Sequence, residues 1–285
     1  MWVVLALLAP ALWAATNLID RGLERALHHV GPLVIVTGLF AGVPGLILLL
    51  MGRPVTANVN VLLLAAVTGA VGLAVYVPYL RALRLADPAV VVLQWNLAPV
   101  LTTIFAWFIV DERLSFHQCV AILSLVIASL IASYQPRPTH LFSRAAPWML
   151  LASCLTALEA VLQKRLYEQV SFLTGFEMIS LAILVLTLVL LLFRTADRRI
   201  LIHALETGKT KWFVMDETLD VAASAAKGAA ISLGPVSVVQ AAEGLQPLFV
   251  YAFESLRGQR PHLSASQGRR LMLAAILAVV GLAFL

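Results

Sequence analysis

The chain is a succession of apolar runs joined by short polar connections. A helix needs about 20 mostly apolar residues to cross a bilayer. Ten stretches meet that length: 2–20, 31–51, 58–80, 87–109, 117–134, 146–166, 172–193, 212–232, 235–255 and 268–285. They predict an all-α, polytopic membrane protein and leave no room for a separate soluble domain. The longest polar stretch, Arg194 to Lys211, also carries Ile200, Leu201, Ile202, Ala204 and Leu205. It reads either as a short interfacial helix or as a solvated loop. The first 19 residues lack a basic lead-in and an obvious cleavage signal, which predicts a retained first membrane helix.

The pattern repeats. Pro88 matches Pro235, Val91-Val92 match Val238-Val239, and, with one-residue shifts, Pro99 matches Pro247. Further on, Leu114-Ser115 matches Leu263-Ser264 and Gln118 matches Gln267, while Trp2 and Trp148 each open an apolar run. This shared order predicts two five-helix repeats, 1–136 and 145–285. An odd number of spans per repeat forces the halves into opposite orientations. Inverted repeats of this kind build many secondary transporters, with the substrate site near the midplane between halves.

Composition agrees. Of 285 residues, 61% are hydrophobic and 12% charged, far from the balance of a water-soluble domain. Mean hydropathy is +0.94. The net charge of +5 comes mainly from Lys and Arg between apolar runs, where they set topology rather than bind nucleic acid. Cys119 and Cys154 fit no metal or disulfide framework and read as small core residues.

Four features carry a family resemblance: "ALWAATNLIDRGL" (11–23), the run from Ala82 to Ser115 ending in "IVDERLS", its counterpart "LGPVSVVQAAEGLQPLFVYAFE" (233–254), and the five-plus-five plan. In these the chain resembles the drug/metabolite transporter superfamily, of the ten-helix EamA type. The resemblance implies alternating-access movement of small metabolites without an ATPase, and no GxxxxGK[ST] occurs in the chain. It also gives weight to the Asn17, Asp20 and Arg21 cluster at the end of the first helix. The second repeat departs from the family pattern: Arg260 stands near the place where a Glu equivalent to Glu112 is expected.

Charge and resemblance disagree on orientation. Four basic residues (Arg53, Arg113, Lys164, Arg165) fall on the N-terminal side and fifteen on the other, with Lys227 inside a span. The positive-inside rule places the termini outside, whereas the resemblance places them in the cytoplasm. The sequence leaves the orientation open.

Ionisable groups at membrane depth cost several kcal/mol and usually face a bundle interior or aqueous cavity. Glu159 and Glu243 fall near mid-span. Thr156, Glu159 and Gln163 share one helical face, as do Gln240, Glu243 and Pro247. Asp216, Asp220, Ser224 and Lys227 form a third polar stripe. A carboxyl desolvated between helices, Glu243 or Glu159, binds and releases a proton; if a cationic substrate takes the same carboxyl, the two flows are coupled. The alternative is a buried ion pair, of Lys227 with Asp220 or Glu243, that only locks helices. Glu177 lies near a span end, within reach of water by snorkelling. Tyr76 and Tyr79 are placed either to stack on substrate or to join an aromatic belt. Gln94 and Asn96 precede Pro99 where a broken helix would expose backbone carbonyls, and Pro99 and Pro247 are candidate hinges or static kinks. Gly38 to Gly42 is a GxxxG that permits close packing, within the chain or between copies.

The expected function is a secondary transporter of a small polar or cationic metabolite in a bacterial inner membrane, working as monomer or homodimer, with a proton or other ion as coupling partner. The alternative is a flippase for a lipid-linked sugar, with its polar residues toward one leaflet. An intramembrane enzyme is disfavoured: His28, His29, His117, His140, His203 and His262 all fall near span ends or in loops, and no H-E-x-x-H or G-x-S-x-G occurs. No cofactor, metal or nucleic acid is expected.

Overall fold

The computed structural model describes residues 1–23, 30–52, 58–85, 91, 94–133, 144–194, 210–256 and 265–285. Those residues form α1 (Trp2–Leu23), α2 (Val30–Leu50), α3 (Val59–Leu85), α4 (Leu97–Ile109), α5 (Phe116–Ser133), α6 (Ala146–Tyr167), α7 (Phe172–Phe193), α8 (Thr210–Leu233), α9 (Val236–Glu243), α10 (Gln246–Leu256) and α11 (Ala265–Ala283). There is no strand among them. Helices α2, α3, α5, α6 and α7 are each long and apolar enough to cross a membrane, and Trp2–Thr16 and Leu97–Ile109 are shorter apolar helices. The polar stretch 195–209, with its interfacial-helix and loop readings, lies outside the described residues.

Two expected spans are not continuous. The stretch 87–109 turns at Asn96 before α4, and 235–255 splits into α9 and α10. The cause is local. Proline has no N–H and is tolerated only in the first turn of a helix. Pro99 therefore falls in the first turn of α4 and Pro247 in that of α10. The carbonyls of Trp95 and Glu243 consequently lose their i+4 donors. At the second break the Gly244 N–H bonds back to the Ala241 carbonyl (3.2 Å) and the Leu245 N–H to that of Ala242 (3.0 Å), a tightened turn. Both breaks lie against Ser129 of α5. Its hydroxyl donates to the Asn96 side-chain oxygen, and a Cβ built at Gly244 would meet it at 2.8 Å.

Helix packing crosses the middle of the chain. The dominant partners are α1 with α8, α3 with α6, α2 with α7, α5 with α11, and α4 with both α6 and α9. Exchanging α1–α5 for α6–α11 maps most of this pattern onto itself: α1 on α8 becomes α6 on α3, and α4 on α6 becomes α10 on α1, which is also seen. Leu50, Leu63, Phe108, Val185, Leu192, Phe193 and Val279 point outward, as lipid contact requires.

Small residues line the contacts, because in lipid close approach rather than hydrophobic exclusion holds helices together. Buried Ala121, Leu125, Ala128, Ser129 and Ala132 make one face of α5. Cys119 lies off that face and is exposed, which corrects its reading as a core residue; Cys154 is half-buried. On α2, Gly38, Gly42 and Gly45 press against Thr187, Leu184 and Leu181 of α7; an added Cβ at Gly38 would run into the Thr187 hydroxyl, and those at Gly42 and Gly45 would meet neighbours at 2.6 and 2.7 Å. The GxxxG thus serves packing within the chain. Glu177, expected to snorkel, is instead fully buried on α7.

Candidate functional site

The polar stripes meet between the halves. Helix α8 supplies Asp220 and Lys227 two turns apart, α6 supplies Glu159 and Gln163, and α9 supplies Gln240 and Glu243, all on inward faces of otherwise apolar helices. The Lys227 ammonium lies 3.1 Å from a Glu243 oxygen and 3.8 Å from a Glu159 oxygen. The Lys227 and Glu243 side chains are 8% and 9% exposed, so water cannot screen the pair. Each carboxylate also accepts from an amide on its own helix: Gln240 Nε2 donates to Glu243 at 2.7 Å and Gln163 Nε2 to Glu159 at 2.6 Å. These amides are i−3 and i+4 from their acceptors, the spacing that puts side chains on one helical face.

The first half completes the wall. Trp13 of α1 donates its indole N–H to Asp220 at 2.7 Å, and the Lys227 ammonium lies 5.9 Å from the centre of the Trp13 ring. Thr37 of α2 donates to buried Glu217 at 2.9 Å. Gly72 of α3 is spared a side chain where Glu159 approaches: a Cβ there would stand 3.3 Å from Glu159 Oε1. Tyr76, one turn further along α3, interacts electrostatically with Asp220, Glu217 and Glu159.

The cluster holds three carboxyls, Glu159, Asp220 and Glu243, against one ammonium. In a low-dielectric interior this imbalance favours a second cation or a proton. Buried oxygens of Thr156, Gln163 and Gln240 lack a hydrogen-bond partner among the described residues. The two amide oxygens can only accept and the Thr156 hydroxyl can accept as well as donate, which suits a donor-rich ligand. No group of His, Cys, Asp and Glu suited to a metal occurs among the described residues.

Of the residues expected from the sequence, Tyr76, Glu159, Gln163, Asp220, Lys227, Gln240 and Glu243 converge here. Tyr79 does not. It stacks edge-on against Trp95 at 4.9 Å in a cluster with Ala82, Met149 and Trp148. Buried Gln94 and Asn96 sit at the first helix break, with Asn96 engaged by Ser129. The Asn17, Asp20 and Arg21 side chains lie outside the described residues. Trp13 is the residue that the sequence reading passed over. Its spacing of four and seven from Asn17 and Asp20 in the sequence was the available signal.

A model of the EamA-like transporter family matches residues 1–134. No curated protein matches the chain. A solved crystal structure, 19% identical, aligns over 99% of this chain and 95% of its own with a TM-score of 0.65, which establishes a shared fold.

Proposed function

Because a model of the EamA-like transporter family matches residues 1–134, we propose that the chain moves a small amine or zwitterion by alternating access, with Glu243 as the carboxyl where proton and substrate compete. It is an integral membrane protein and a transporter of small substrates. The observation that carries the finer reading is the Lys227 ammonium held between Glu243 and Glu159, 3.1 and 3.8 Å away.

A proton on Glu243 removes the charge that attracts Lys227, leaving the ammonium to Glu159. A substrate ammonium does the same by taking a carboxylate for itself. Either event frees part of the cluster, and because both use Glu243 they exclude one another. A zwitterion adds a carboxylate that Lys227 can receive. The same ion pair would also lock helices. What favours transport over a lock is the surplus of carboxyls and the unpartnered acceptors around it.

Residues 1–136 and 145–285 act in this reading as inverted repeats in a bacterial inner membrane, rocking about the breaks before Pro99 and Pro247. Support comes from the packing pattern, which largely survives exchange of the halves. Mid-depth placement of Glu159, Asp220 and Glu243 favours a soluble cargo over a lipid-linked one.

The test is uptake into proteoliposomes. Glu243→Gln should still fold, because Lys227 keeps Glu159 as a partner, yet lose the acceleration that a pH gradient gives the wild type. Normal pH-dependent uptake by this variant would remove Glu243 from the mechanism. If Glu159→Gln also behaves as wild type, the acidic-cluster reading fails.

A further inference from the structure

A second ionic arrangement lies at the membrane face that carries the N-terminus, away from the central cluster. The α8–α9 connection there is held by groups from elsewhere in the chain. Both oxygens of Glu112 accept from the first turn of α9, taking the Val236 N–H at 2.7 Å and the Ser237 N–H at 3.1 Å. Lys164 of α6 donates to the last carbonyls before the turn, Ile231 at 3.2 Å and Gly234 at 3.0 Å. Trp2 lies flat against Gly234, where a Cβ would meet its ring at 2.6 Å.

Proline makes the first of these contacts necessary. Pro235 occupies the N-cap of α9 and has no side-chain oxygen to satisfy the free N–H groups behind it. A carboxylate supplied from the other half does so, at the positive end of the helix. Its delivery is built with care. Beyond α4 the chain turns at Asp111, which has a φ of +51°, and the Glu112 N–H returns to the Ala106 carbonyl at 3.1 Å. Arg113 then clamps the bend, bonding Asp111 at 2.8 Å and lying 4.4 Å from the centre of the Trp107 ring. The "DER" of the sequence thus divides its labour: Asp111 and Arg113 shape the turn, and Glu112 projects across the halves.

We infer that Glu112 is a gate latch: its carboxylate holds this face closed by capping α9, and the cap breaks whenever the central site opens on this side. The inference rests on the alternating-access reading. The latch couples gate to site directly, because the helix it caps runs only from Val236 to Glu243. Movement of the capped end reaches the Glu243 carboxyl within two turns. An open cleft of about 250 Å³ beside the contact, lined by Val110, Arg113, Gln118, Glu168 and Pro235, leaves the cap room to part.

The experiment reads accessibility. Ser237 is fully buried beneath the latch, and Glu168 is exposed beside it. With Cys119 and Cys154 replaced by Ser, Ser237→Cys and, separately, Glu168→Cys are labelled with a maleimide in proteoliposomes. Adding Glu112→Gln should raise the Ser237→Cys rate about tenfold, the scale set by losing hydrogen bonds to a charge, and leave Glu168→Cys unchanged. Unchanged labelling at Ser237→Cys overturns the latch. Faster labelling at both positions signals loosening of the fold and also overturns it. Lys164→Gln is the second variant, expected to act in the same direction through the α8 end of the turn. Labelling does not require a substrate. If labelling responds as expected while no compound is transported, the Glu112 cap is real, but the transport reading falls and the gating role that rests on it falls too.

Discussion

Lys227 sits in a position where its removal and its neutralisation have different consequences. It is buried against Glu243 and Glu159. Deleting one partner of a buried ion pair leaves an uncompensated charge and costs about 3–5 kcal/mol, whereas removing Glu243 as well takes away the nearer of the two carboxylates left without their cation. Lys227→Met should therefore lower the unfolding temperature in detergent more than Lys227→Met combined with Glu243→Gln does. A double variant less stable than the single one would show that the two charges do not balance each other. Glu159, Asp220, Lys227 and Glu243 were legible in the sequence because an ionisable group inside an apolar run has no cheap way to reach water. Trp13 was not, and Glu112 stood out only through the family resemblance, with nothing to show its partner. An indole hides its single donor in a large apolar ring, and a carboxylate at a helix end looks like any solvated terminus. Their partners lie 207 and 124 residues away, in the other half of the chain. One sequence carries no record of such distances.

At the scale of elements, α2 and α7 pack backbone against backbone at Gly45. A Cβ at Gly45 would meet backbone atoms, the Leu181 nitrogen at 2.7 Å and the Glu177 oxygen at 2.8 Å. Backbone cannot swing aside as a side chain can. Gly45→Ala should cost about 1–3 kcal/mol through forced separation of the helices. Gly268→Ala, in α11 with nothing within 4 Å, is the control and should be neutral or stabilising. Equal thermal stability of the two variants would contradict the packing. Helix positions were legible to within a few residues because bilayer thickness sets their length. The interruptions near Asn96 and Gly244 were legible only through the prolines just downstream. Hydropathy continues unbroken across both, and the exact turn follows from hydrogen bonds that no apolar pattern encodes.

Over the whole molecule, the charged cluster and the latch occupy the same seam at different depths. The second half supplies every member of the ion-pair cluster; the first half supplies the Trp13 and Thr37 donors and, at the face, the Glu112 cap. Relative motion of the halves would therefore change all three contacts together, which is what a transporter with one site and two gates requires. The order of Pro88, Pro99, Leu114-Ser115 and Gln118 against their counterparts is the sequence signal for a repeat. The seam has no such signal, because which faces meet depends on packing between halves with little sequence in common.

The central claim is that the Glu243 carboxyl receives either a proton or a substrate ammonium. Ligand-induced stabilisation of the purified protein tests it most directly. Wild type and Glu243→Gln are unfolded thermally in detergent at two pH values, against amines, amino acids, nucleosides, sugar phosphates and lipid-linked sugars. Ligand at a hundredfold over Kd adds about 2.7 kcal/mol, enough to resolve. Since a proton and an ammonium compete for one carboxylate, amines or zwitterions should stabilise the wild type more at the higher pH and the variant little at either. Stabilisation by lipid-linked sugars alone, or the same response from the wild type and Glu243→Gln, would contradict it.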